Sequence, residues 1–259
     1  MATHDSKGHD LQRSLTLLWA GRSRGRRGPR PKLTVAQIAD AAVRVADADG
    51  LEALSMQRIA AELGYSTMSL YNHIPSKDLL LEVVADVAAG PPPELDGTGD
   101  FRHAVRQWVG ALWAGFQTRP WLLRVPLDHA PIGPNQLAWL DRLLRPLLTA
   151  GLVGGEARAA ALHLTAVVRG TAQITMDMAG AQAADGSPHN EAELAHALAE
   201  LIDPDAYPAL AAVHAAETTG DRSAPERGDG RALPVELSFG VDRFLDGVEA
   251  WVAAKARGG

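Results

Sequence analysis

An all-α chain is what this sequence predicts, with a small N-terminal three-helix unit followed by a larger helical one. Three observations lead there. Alanine, a strong helix former, dominates a composition that is 46% hydrophobic, and runs of β-branched residues are few. Apolar residues return every third or fourth position over most of the chain, the period of a helix with one buried face. Where that period fails most clearly, at Gly90-Pro-Pro-Pro93 through Gly99, the chain divides into residues 1–89 and 90–259. A length of 259 residues suffices for one large domain or two modest ones.

Residues 1–32 open with Leu11 to Trp19, a weakly amphipathic piece, and pass into Arg22–Lys32, where six of eleven residues are Arg or Lys. Gly25, Gly28, Pro29 and Pro31 oppose a stable helix, so 1–32 reads as a flexible basic arm. Its Arg24, Arg26 and Arg27 are placed to neutralise phosphates or enter a minor groove; a solvated tail is the alternative.

Residues 33–89 read as a compact set of helices. Thr34 with Gln37 forms a capping box for the first, whose inward positions are Ile38, Ala42, Val45 and Ala46 and which Gly50 ends. Met56, Ile59, Ala60 and Leu63 give the second one apolar face and leave Gln57 and Arg58 outside. After a turn at Gly64, Ser66 caps a short helix to His73 with Leu70 as its one strong anchor. Thr67, Ser69, Tyr71, Asn72 and His73 then face outward with hydroxyl, amide and imidazole groups, the kind that read base edges in a major groove. Two short helices joined by a glycine turn make a helix-turn-helix. Pro75 and Ser76 start a connecting helix with Leu79, Leu80, Val83, Val84 and Val87 spaced for burial.

In residues 90–259 the period returns at Phe101, Val105, Trp108, Val109, Leu112 and Phe116. A Thr118-Arg-Pro turn and a loop from Pro126 to Pro134 precede a helix marked by Leu137, Leu140, Leu144, Leu147 and Leu148, which Gly151 with Gly154-Gly155 stops. Glu156 to Met178 is the longest uninterrupted helical stretch and carries Thr165, Arg169, Gln173 and Asp177 at successive i+4 steps. Surface loops are expected at Ala181–Asn190 and Glu217–Pro234. The last helix, Glu236 to Ala256, has Leu237, Val241, Phe244, Leu245, Val248 and Trp251 in near-heptad spacing. Gly240 and Gly247 in it cost helix propensity, about 1 kcal/mol each, so close packing against them is expected.

The net charge of −6 is unevenly spread: residues 1–89 hold 11 basic and 10 acidic groups, the remainder 14 and 21. Basic charge is thus concentrated beside the helix-turn-helix, where phosphate contacts require it. Cysteine is absent, which excludes disulfides, thiol catalysis and cysteine-bound zinc. With no run of 18 apolar residues and a polar N-terminus, neither a membrane span nor a secretory signal is expected, and the location read from this is cytoplasmic. Glu193-Leu-Ala-His196 lacks the second histidine of a zinc-protease motif, and no metal site or cofactor is expected. No nucleophile and base pair or glycine-rich phosphate loop appears either, so the chain does not read as an enzyme. Trp108, Trp113, Phe116, Trp121, Trp139 and Met176 are of the type that lines an apolar cavity, although any one of them taken singly reads as core. His163 and Arg169, with Gln173 one turn on, either meet a ligand or pair within the core or at a seam between subunits.

The segment Leu54-Ser-Met-Gln-Arg-Ile-Ala-Ala-Glu-Leu-Gly64, followed by Leu70-Tyr-Asn-His73 and Lys77, resembles the DNA-binding domain of the TetR family of repressors. The likeness spans roughly residues 33–88 and keeps the family's alanine, glycine turn, Leu-Tyr pair, histidine and lysine in register. It implies base or phosphate contacts from Ser55, Gln57, Thr67, Met68, Ser69, Tyr71, Asn72, His73 and Lys77. Met68 and Asn72 depart from the tetracycline repressor, so the operator is left open. Less specifically, residues 90–259 resemble the second domain of tetracycline-repressor-like members. That likeness implies a pocket among the aromatic residues above for an apolar or aromatic effector. It also implies a homodimer made by pairing the last helix, through Gly240, Phe244, Gly247 and Trp251, with the Glu156–Met178 helix; the alternative is an ordinary core helix. The function expected is a homodimeric repressor of palindromic operator DNA released by a small molecule. The rivals are a ligand-independent regulator or scaffold, and an enzyme carrying a DNA-binding module.

Overall fold

The computed structural model describes residues 12–19, 33–96, 100–127, 129–185, 201–218 and 233–258. Among these every regular element is a helix and no strand forms. Helix α1 covers residues 12–19. There follow α2 Val35–Asp49, α3 Met56–Leu63, α4 Thr67–Tyr71, α5 Lys77–Ala89, α6 Phe101–Thr118, α7 Pro134–Thr149, α8 Gly154–Asp185, α9 Pro208–Thr218 and α10 Val235–Gly258. Short 3-10 turns at Leu51–Ala53 and Pro120–Arg124 complete the set.

Local chemistry sets the helix starts in the first half of the chain. Thr34 and Gln37 form the capping box of α2, and Gly50, at φ 82, returns its N–H to the Ala46 carbonyl at the other end. Ser55, Ser66 and Ser76 each accept the amide three residues on, at 3.1, 3.2 and 3.2 Å, and so open α3, α4 and α5. These four helices close around Ile38, Leu54, Ile59, Leu70, Ile74, Leu80 and Val84, all buried in one cluster termed here the head.

A second cluster gathers Val105, Trp108, Val109, Trp113 and Phe116 of α6 with Leu143 and Leu147 of α7, Leu164 and Val168 of α8, and Leu237, Val241 and Leu245 of α10. Helices α6, α7 and α8 pack mutually, and α10 lies on α8. Arg102 and Arg106 of α6 tie α10 down through Asp246, Glu249 and Asp242 at 2.7 to 2.9 Å. Glu156, near the start of α8, accepts Trp251 Nε1 and Lys255 Nζ from the far end of α10.

Four local expectations are corrected. Gly154 and Gly155 do not stop α7; they form the first turn of α8, and the stop is Gly151, whose φ of 104 suits glycine. The loop placed at 181–190 is helical through Asp185, because α8 is continued by small, helix-favouring residues. The loop placed at 217–234 begins later than expected, since α9 runs to Thr218. Leu148, expected inward, is 49% exposed, because it lies to the side of its helix's buried stripe. Moreover, residues 12–19 do not behave as part of a flexible arm. Ser14 is buried, Leu17 packs on the head, and Trp19 Nε1 donates to the Ile132 carbonyl at 3.0 Å.

Candidate nucleic-acid interface

The geometry of the helix-turn-helix follows from one glycine and one leucine. Gly64 takes the left-handed conformation at φ 72, its N–H bonding Ala61 O and the Tyr65 N–H bonding Ala60 O, the two bonds of a Schellman stop. The chain therefore turns sharply between α3 and α4. Leu70, 0% exposed, then fixes α4 to the head, and the rest of this five-residue helix is free to face outward. Met68 is 70% and Tyr71 43% exposed; Asn72 is exposed as well.

The other expected contact residues sit around that surface. Gln57 is exposed on the first turn of α3. Ser55 and Ser69 have structural duties too, Ser55 as the cap of α3 and Ser69 Oγ lying 2.9 Å from Ser66 Oγ. Thr67 and His73 are half-buried, His73 falling in the turn just beyond α4, which ends two residues earlier than the sequence suggests. Lys77 is exposed at the first position of α5. Arg58 is turned away by Asp49 at 3.1 Å, and Arg44 meets Glu62 at 3.4 Å; both pairs are exposed and worth little. Arg24, Arg26 and Arg27, like Glu193 and His196, lie outside the described residues.

What the sequence did not reveal is how this surface is held to the second cluster. Asp86, 2% exposed on α5, accepts the backbone amides of Asn135 and Gln136 at 3.0 and 2.9 Å, capping α7 from another helix. Negative charge is favoured at a helix N-terminus, and the buried carboxylate is satisfied there. A Cβ at Gly133 would overlap Asp86, so only glycine fits. The sole signal for Asp86 is a lone acid on the inward face of an apolar helix. A second bond of the joint is the 3-10 turn Pro120–Arg124. Trp121 enters the head cluster and donates Nε1 to Asp47 at 2.8 Å, Arg119 grips Asp47 and the Ala88 carbonyl, and Arg124 meets Glu52 at 2.6 Å.

This assigns several pocket candidates to definite places. Trp139 Nε1 donates to the Ala89 and Gly90 carbonyls at the end of α5, and its ring meets Trp108 edge-on at 5.9 Å. Trp121 and Trp139 are therefore parts of the joint. Trp113 and Phe116 are buried in the second cluster, with Met176 packed at its margin. His163 stacks on Phe244 at 4.7 Å, Gln173 donates to Asp177, and Arg169 donates to three turn carbonyls. An open groove of about 430 Å³ between α7 and α8 is lined by Leu144, Leu148, Gly154, Gly155, Ala157 and Arg158, none of them among the pocket candidates. Of the four pairing candidates, Phe244 and Trp251 have partners within the chain, while a Cβ at Gly240 or Gly247 would meet nothing within 4 Å. Among the described residues nothing packs closely against those glycines. Among the described residues no group of acids and histidines is arranged to hold a metal, and no helix is long and apolar enough to cross a membrane.

Comparison with known proteins matches two family models: "Bacterial regulatory proteins, tetR family" over residues 38–84, and "Tetracyclin repressor-like, C-terminal domain" over residues 92–227. The chain is 33% identical over 259 residues to the HTH-type transcriptional repressor DrrR1 of Streptomyces coeruleorubidus, covering 98% of this chain and 91% of that one. It is similar to the crystal structure of ActR from Streptomyces coelicolor in complex with actinorhodin, at 25% identity and a TM-score of 0.65, over 86% of this chain and 99% of that one. BioQ bound to its double-stranded DNA operator shares the fold at 18% identity and a TM-score of 0.55, over 85% and 99%.

Proposed function

The chain belongs to the tetR family of bacterial regulatory proteins, and on that premise we propose that it is a cytoplasmic repressor that holds a palindromic operator as a homodimer and lets go when a small molecule binds. The observation that carries the reading is α4: five residues long, anchored by Leu70, with Met68, Tyr71 and Asn72 open to a groove. Residues 33–89 contact the DNA; residues 90–259 take the effector and pair the subunits. Ser69, Tyr71 and Asn72 read base edges, while Gln57 and Lys77 meet the backbone, with Arg24, Arg26 and Arg27 adding phosphate contacts.

Pairing is supported by the outer faces of α8 and α10. Leu162, Ile174 and Met178 on one and Phe239 and Trp251 on the other are 54 to 71% exposed, beside the open Gly240 and Gly247. Apolar area of this extent on a soluble regulator is a partner surface, and a twofold pair sets two α4 helices at a fixed spacing on the DNA. The effector is supported by the ActR complex with actinorhodin. Trp108, Trp113, Phe116, His163, Arg169, Gln173 and Met176 remain the residues to meet it.

The test is selection of bound duplexes from random sequence. An inverted repeat is expected, occupied by two chains. Asn72→Ala should alter the base preference at about 1 to 3 kcal/mol per lost contact, and Lys77→Ala should weaken all sequences alike. Binding of one chain to unrelated sequences with equal strength would overturn the reading.

A further inference from the structure

Along α8, Thr165, Arg169, Gln173 and Asp177 form a polar row, and three of them are satisfied on their own helix. Thr165 Oγ1 donates to the Ala161 carbonyl and Gln173 Nε2 to Asp177. Arg169 reaches elsewhere. Its guanidinium donates to the carbonyls of Leu122, Leu123 and Val125 at 3.3, 2.5 and 3.1 Å, and lies 6.0 Å from the centre of the Phe116 ring. Burial pulls its pKa below the ordinary value, and among the described residues no carboxylate offsets the cost. A partly buried cation whose described partners are neutral carbonyls is a group that gains when an anion arrives.

The three carbonyls belong to the turn that carries the joint. Trp121, just before them, and Val125, the last of them, are buried in the head, while Leu123 is buried in the second cluster. Arg169 thus grips, from the second cluster, the backbone whose side chains hold the head.

We propose that Arg169 is the link through which the effector is felt at the DNA: an effector carrying a carboxylate or an ionised phenol draws the guanidinium off the turn carbonyls and frees the turn. The step rests on the reading that the second cluster takes an effector. It works by competition. A carboxylate adds to the bidentate fork a Coulombic attraction that neutral carbonyls lack, and one that is strengthened by partial burial, so the anion displaces the turn and a neutral analogue does not. The freed carbonyls must find new donors, and the turn shifts with Trp121 and Arg119 attached. Linkage then requires DNA to weaken binding of the acid by the same factor by which the acid weakens binding of DNA.

The experiment measures anisotropy of a labelled selected operator with the full-length protein. The probes are anthraquinone-2-carboxylate and its carboxamide, of equal size and differing in charge. In the wild type the acid is expected to weaken operator binding by about 5- to 150-fold, the usual range for coupled sites, and the amide to leave it unchanged. Arg169→Met should bind the operator weakly from the outset and respond to neither probe. Arg169→Lys, which keeps the charge but not the fork, should show a reduced response to the acid, and serves if the methionine variant fails to fold by circular dichroism. Wild-type operator affinity in Arg169→Met, equal effects of acid and amide, or no effect of the acid on the wild type would each overturn the proposal. Failure of the wild type to bind any selected duplex would instead bring down the regulator reading itself.

Discussion

In the head, each helix start is fixed by a side chain three residues from the amide it caps, as at Thr34, Ser55, Ser66 and Ser76. At the joint the bonded partners lie 46 to 74 residues apart: Arg169 with Leu123, Asp86 with Gln136, Trp121 with Asp47. The difference teaches what each part is for. A reading surface must keep its shape whatever the rest does, and short-range caps and one small core give it that. A joint must answer to another part of the molecule, and only long-range contacts can be made or broken by events there.

Breaking the head at its anchor should have the largest effect. Leu70→Ala is expected to cost about 2 to 5 kcal/mol, the range for a buried leucine. Hydrogen exchange should show the loss in α2 to α5, with the amides of α6 and α8 protected as before. Equal loss of protection in both would mean the two clusters unfold as one.

Breaking the joint comes next. Asp86→Ala leaves the Asn135 and Gln136 amides without their acceptor and should cost about 1.5 to 3 kcal/mol, the range for a hydrogen bond to a charged group. Urea melts that separate into two transitions would show head and second cluster uncoupled. A single, unshifted transition would show that α7 needs no cap from α5.

Sharpening the contrast calls for a purely local change. Ser66→Ala removes the cap of α4 at about 1 kcal/mol, and operator affinity should fall while exchange rates in the second cluster stay put. A change at α7 on this substitution would mean that the head is less self-contained than its short-range bonds suggest.

The smallest effect concerns the far end of the second cluster. Glu156 has its pKa lowered from 4.5 to about 2, first by the Val153 amide, then by Lys255 and Trp251. A carboxylate with a depressed folded pKa contributes stability above its unfolded value and loses it as the pH falls through the folded one. The contribution is therefore complete above pH 4.5 and disappears on the way to about pH 2. Glu156→Gln should flatten that part of the acid melt; an identical acid profile would show that α10 is held without it.

The same contrast explains what was legible beforehand. The capping box at Thr34, the turn at Gly64, the anchor at Leu70 and the inward faces of α2, α3 and α5 could be read, because their causes lie within one or two helical turns. The surface of α4 followed from them. Asp86, Asp47 and Arg119 could not be read, since each acquires its role from a partner far along the chain. Trp121 and Trp139 read as apolar side chains suited to a cavity, but the destination of their N–H groups decides their place, and a hydropathy pattern carries no information on that. Helix α9 is illegible for another reason: its alanine-rich sequence lacks the amphipathic period that marks the other helices.

Three of the chain's six tryptophans have their indole N–H groups engaged at the joint: Trp19 with Ile132, Trp121 with Asp47, and Trp139 with Ala89 and Gly90. An indole that loses a buried partner and meets water emits at longer wavelength. The molecule therefore carries its own optical gauge, unlabelled and sited where head and second cluster meet. A red shift on opening of the joint would time that event directly, and replacing Trp121 with phenylalanine would reveal how much of the signal comes from the turn.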